Sequence, residues 1–146
     1  MTDNRRMPLE LGHLRDSLES LTELLAVAEN DARMSQFSDV ERNGIRAGVI
    51  QNFEVTYELS WKLIVRWLNT NVSVGIADGV TRRHLFRLAA EYGLIADVDR
   101  WMEHHQARNR TAHMYDREQA MRVYLATRAF ASDAGRLLES LEARND

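Results

Sequence analysis

Gly48-Val49-Ile50-Gln51-Asn52-Phe53-Glu54-Val55-Thr56-Tyr57-Glu58-Leu59-Ser60-Trp61-Lys62 lies in the middle of the longest helical pattern in the chain. Ile45, Val49, Phe53, Tyr57, Trp61, Ile64 and Leu68 recur at steps of three and four. That is the period at which side chains return to one face of a helix. Ser38 and Glu41 have the spacing of a capping box, so the helix is predicted to open there. Its aromatic content makes it the backbone of the core.

Working outward, a first helix is predicted after Pro8, with the stripe Leu11, Leu14, Leu18, Leu21 and Leu25, fading into the polar stretch Glu29 to Gln36. On the other side, Asn69 to Val80 contains Gly75 and Gly79 with little helical period and reads as a loop. A short third helix opens near Thr81 and ends at Gly93, with Leu85, Leu88 and Ala89 as its buried face. Asp97 caps a fourth helix carrying Val98, Trp101 and Met102. Asp116 and Gln119 have the capping spacing for a fifth, whose stripe is Val123, Phe130, Ala134, Leu137 and Leu141. No stretch alternates apolar and polar residues over a strand's length. The expected fold is all-α, an antiparallel bundle of about five helices. It is read as one domain over residues 1–146, with residues 1–8 flexible.

Composition agrees with this reading. One proline and seven glycines leave few interruptions for long helices. The chain has no cysteine, hence no disulfide framework and no thiolate metal site. No apolar run approaches the roughly 18 residues needed to span a bilayer, so no membrane association is expected, and the polar Met1 to Arg6 leads into no signal-type stretch. A cytoplasmic location follows as the expectation. The formal charge of -3 argues against a surface that is basic throughout. The local cluster Arg82, Arg83 and Arg87 reads first as a solvated helix face.

Chemistry concentrates in Arg108-Asn109-Arg110-Thr111-Ala112-His113-Met114-Tyr115. An arginine holds a phosphate through two hydrogen bonds and offsets charge developing on its oxygens. A histidine titrating near neutrality moves the proton of a ribose hydroxyl or leaving oxygen. Together they suit metal-independent phosphodiester cleavage. On one continuous helix, at about 100° per residue, Arg108 and His113 would stand roughly 140° apart, whereas Asn109 and His113 share a face. A working site therefore needs the helix to end near the histidine, the arginine to reach around, or a second copy to approach across a dimer. From the residues alone, a capped helix end with an exposed pair is the commoner outcome of so sparse a motif. Glu58 and Lys62 have the spacing of an intrahelical ion pair. Gln51 and Glu54, beside the buried stripe, could instead order Arg108 or a partner. His104 and His105 point about 100° apart without a completing carboxylate, so they are read as structural or solvent-facing, and no metal site is expected.

Gly48 to Glu54 with Glu58 to Lys62, followed in order by Gly93-Leu94-Ile95, Trp101, Arg108, Asn109, Thr111, His113, Tyr115 and Asp116, resembles the nucleotidyltransferase substrate-binding branch of the HEPN family. The likeness covers most of the chain. It departs before the third helix, where the family commonly has a proline and this chain has Val80-Thr81-Arg82. The resemblance implies a HEPN-like helical bundle that forms a homodimer and pairs with a separate minimal nucleotidyltransferase, without a cofactor. In its HepT-like toxin members, positions matched by Arg108 and His113 serve metal-independent RNA cleavage, assisted by that matched by Asn109. The tyrosine matched by Tyr115 is where the nucleotidyltransferase attaches adenylyl groups. Other members are regarded as non-catalytic subunits that present a substrate or nucleotide. Gln51, Glu54 and Arg110 remain candidates for support or partner contact.

Overall fold

The computed structural model describes residues 8–111 and 117–145, with the backbone alone over 117–120. Its elements are α1 (Gly12–Ala28), α2 (Asp31–Met34), α3 (Asp39–Asn71), α4 (Arg82–Glu91), α5 (Val98–Arg110) and α6 (Arg117–Ala143), with no strand among the described residues. None of these helices is long and apolar enough to cross a membrane.

Local chemistry sets the boundaries. Ser38 accepts from the Glu41 backbone N–H while the Glu41 carboxylate accepts from the Ser38 N–H, so the capping box forms as its spacing predicts. Thr81 and Asp97 accept from the third residue of α4 and α5 and cap them. Gly93 follows α4 at φ +81, a conformation that a Cβ would strain. The sixth helix, α2, lies within the polar stretch read as a fading helix. Asn30 caps that single turn, and Met34 is its buried residue. One turn carries no repeating stripe, which is why periodicity passed over it.

The core is continuous. Leu14, Leu21, Phe53, Tyr57, Ile64, Leu85, Phe86, Leu94, Trp101, Phe130 and Leu137 belong to one buried cluster, with Ile45, Leu18, Leu88 and Trp61 partly buried against it. Phe53, Trp101 and Phe130 meet edge to face at its centre, at centroid separations of 5.0 and 5.9 Å to Phe130.

Cross-helix pairs fix the directions. Ser17 meets Thr56 while Leu24 reaches Gly48, so α1 runs opposite to α3. Arg15 pairs with Glu142 and Glu29 with Arg128, so α1 also runs opposite to α6. Tyr57 meets His105 and Glu54 meets Thr111, which sets α5 against α3. The bundle is antiparallel between α3 and both α1 and α5, while α3 and α6 run the same way. The α5 C-terminus thereby lies beside the middle of α3.

Candidate functional site

The α3 pattern places Glu54, Tyr57, Glu58 and Trp61 at steps of three, one and three, so the two carboxylates and two aromatics share neighbouring rows. On α5, His105, Arg108 and Asn109 are likewise three and four apart, and they face that row. Arg108 Nη2 lies 4.0 Å from Glu54 Oε2, and its Nε lies 3.8 Å from Glu58 Oε1. Both separations exceed hydrogen-bond reach, so the carboxylates locate the guanidinium electrostatically without saturating it. Each carboxylate also has a closer partner. Glu54 Oε1 accepts from the Thr111 hydroxyl at 2.8 Å, and Glu58 Oε2 accepts from Trp61 Nε1 at 3.0 Å.

Thr111 marks the end of α5. Its hydroxyl lies 2.7 Å from the Arg108 carbonyl, and its backbone N–H donates to the same oxygen. The helix stops at Arg110, two residues beyond Arg108, with basic Arg108 and Arg110 in the last turn, where the helix dipole favours cations. Glu54 is thus tied to Thr111 as well as placed beside Arg108.

Beneath Arg108, the Tyr57 hydroxyl and His105 Nδ1 are 2.6 Å apart. Burial, opposed by the Arg82 guanidinium, pushes the Tyr57 phenol up to about 12, so it keeps its proton. Burial, and then Arg82, hold the His105 imidazole below the ordinary histidine range, with Glu58 opposing and Arg108 adding to the depression. His105 Nε2 lies 3.5 Å from the Asn109 side-chain nitrogen Nδ2. Arg82, the first residue of α4, sits over Trp61, with its guanidinium carbon 3.4 Å from the ring centroid.

A second polar knot holds α5 to α6. Buried Asp133 accepts from Arg100 at 2.9 and 3.1 Å, from Arg136 at 3.1 Å and from His104 Nε2 at 2.6 Å. Burial depresses His104, so the neutral ring donates to the carboxylate. Burial by itself would raise Asp133, but the hydrogen bonds and charges of Arg100 and His104 outweigh it and hold the carboxyl below its usual range. Among the described residues, no group of three or more His, Asp or Glu side chains could hold a metal ion.

Of the sequence-predicted residues, Arg108 and Glu54 come together, with Asn109 exposed beside them. Gln51 and Arg110 are exposed to solvent. His113 and Tyr115 lie outside the described residues. The expected Glu58–Lys62 pairing is replaced, since Glu58 turns to Trp61 and Arg108, and the Lys62 ammonium lies 5.7 Å from the Trp61 ring centroid. Of the two alternatives its sequence left open, structural or solvent-facing, His104 takes the structural one. Tyr57, Arg82 and His105 were not expected at the site. Their signal was the three- and four-residue spacing of His105 to Arg108 and Asn109, and of Tyr57 to Glu54 and Trp61.

Residues 9–143 match the family described as nucleotidyltransferase substrate binding protein like. Over 100 residues the chain is 38% identical to the Haemophilus influenzae protein named "Probable ribonuclease HepT", covering 68% of each. A solved Haemophilus influenzae structure, described as revealing the fold of a substrate binding domain of a nucleotidyltransferase, superposes with a TM-score of 0.85 at 30% identity. It covers 91% of this chain and 99% of the other. A Thermus thermophilus structure matches at a TM-score of 0.62 and 26% identity, over 90% of this chain and 97% of its own.

Proposed function

The chain belongs to the nucleotidyltransferase substrate binding protein-like family, and from that premise we propose that it is the helical subunit of a two-component module with a minimal nucleotidyltransferase, acting as a metal-independent ribonuclease. Arg108 binds the scissile phosphate and offsets the charge that develops on its oxygens. His113 transfers the proton as general acid or base, and Asn109 orients the reacting groups. Tyr115 is the regulatory acceptor through which the nucleotidyltransferase acts on this subunit. The assembly is a cytoplasmic homodimer of toxin type, silenced by its partner.

The single observation that carries this reading is the setting of Arg108: a guanidinium located by Glu54 and Glu58 at distances that leave it free to bind a phosphate, in the last turn of a helix that stops at Arg110. The name of the Haemophilus influenzae relative supports the chemistry.

The description of the superposed structure as a substrate binding domain favours a second reading, a non-catalytic subunit that holds a substrate or nucleotide for the nucleotidyltransferase. Cleavage assays on Arg108→Ala and His113→Ala separate the two. The ribonuclease reading expects each to lower the rate by roughly 10²-fold or more with the helical circular dichroism retained. Unchanged cleavage in both, or none by the native chain with or without the nucleotidyltransferase, contradicts it and leaves the binding subunit.

A further inference from the structure

Two guanidinium Nε atoms, those of Arg82 and Arg108, are shielded from solvent and have no hydrogen-bond partner. Native structures rarely leave buried donors unpaired, and an arginine cannot escape the cost by losing its proton. Both groups belong to one locality, since Arg82 sits over Trp61, whose indole N–H donates to Glu58, and Glu58 lies 3.8 Å from Arg108 Nε. Arg82 comes from α4 and Arg108 from α5, so tertiary packing, and not a run of basic sequence, assembles the pair. Trp61 packs against the Arg82 guanidinium, whose carbon lies 3.4 Å from the ring centroid, and holds it in place. The second nitrogen of His105 is turned to the exposed Asn109.

We propose that Arg82, backed by Trp61 and by the Tyr57–His105 pair, forms a second phosphate subsite beside Arg108, so that the site grips two phosphate groups of its ligand. The subsite rests on the reading of Arg108 as a phosphate ligand. Two guanidiniums from different helices match two successive phosphates of a single strand better than one isolated anion. His105, with its pKa held below the ordinary histidine range, adds no charge at neutral pH. Glu54 and Glu58, engaged by Thr111 and Trp61, lie beyond hydrogen-bond reach of Arg108 and leave its donors unfilled. The same phosphate chemistry has two sources, an RNA strand or a nucleoside triphosphate, and of these the strand is the ligand assigned here.

The test is fluorescence anisotropy with a labelled 2′-O-methyl RNA, which keeps the phosphates and lacks the attacking hydroxyl, across a salt series. For single strands each phosphate contact contributes about 0.7 to the slope of log K against log salt. Arg82→Gln is expected to reduce the slope by about 0.7, and Arg82→Lys, which keeps the charge, to retain it. An unchanged slope in Arg82→Gln with a lowered slope in Arg108→Gln overturns the subsite and leaves the Arg108 reading standing. A lowered slope in Arg82→Gln alone overturns the two-phosphate grip, because Arg108 then makes no phosphate contact. ATP binding is measured on the same variants. Arg82 dependence with ATP but not with the strand transfers the subsite to a nucleotide and overturns the strand assignment. Circular dichroism of each variant confirms the helical fold, and loss of that signal in Arg82→Gln makes Arg82→Lys against Arg82→Met the deciding pair.

Discussion

Replacing Asp133 with alanine removes one buried acceptor from three donors at once. Its carboxylate is 7% exposed, and His104, which donates at 2.6 Å, is buried with it, so the loss of that bond is felt without solvent compensation. Leaving a buried donor unpaired costs about 1–3 kcal/mol. Arg100 and Arg136 are 46% and 67% exposed, and water takes over much of their solvation, so each pair adds only about 0–1 kcal/mol. The expected destabilisation is about 2–3 kcal/mol, measured as a shift of the urea midpoint at neutral pH with the slope unchanged. The native chain should also lose stability on acidification in two stages. His104 has a lowered folded pKa, so the unfolded chain binds a proton first, and stability falls as pH drops below roughly 6.5. Asp133, also lowered, contributes fully above about 3.9 and loses its share as pH falls through its folded value. Asp133→Ala should lack the second stage. A midpoint shift equivalent to less than about 0.5 kcal/mol, the range of an ordinary surface change, would refute the view that this knot fastens α5 to α6.

Three further outcomes follow from other parts of the structure. Ser38→Ala breaks one half of the α3 capping box and should cost about 1 kcal/mol in chemical denaturation. Phe130→Ala empties the meeting point of Phe53, Tyr57 and Trp101 and should cost about 3–5 kcal/mol, seen as a marked fall in melting temperature. In an NMR titration His105 should take up its proton at lower pH than a free histidine, and Arg82→Gln should move that value upward, because burial and Arg82 are the two largest causes of the depression.

The helices were legible because most of their information is local. The α3 stripe, the Ser38 capping box and the Asp97 cap are short-range features, and each appears where spacing puts it. The parallel course of α3 and α6 was not legible, since it depends on which helix faces pack and not on any one segment's period. The candidate site divides in the same way. Arg108 and Asn109 are visible as a motif, and Glu54 as a polar residue beside the buried stripe. Tyr57 looked like core because it is core, and its hydroxyl reaches His105. Arg82 looked like one cation of a solvated face, because its partner Trp61 stands on another helix. Glu58 left the predicted Lys62 pairing for a neighbouring indole and a cross-helix cation, partners that spacing along one helix does not reveal.

The most direct test of the central claim is RNA cleavage by the purified chain in the presence of a chelator, with native protein and His113→Ala compared side by side. A metal-independent ribonuclease predicts cleavage that survives the chelator in the native chain and is lost in the variant. Equal cleavage by both proteins, or activity abolished by the chelator alone, would contradict it.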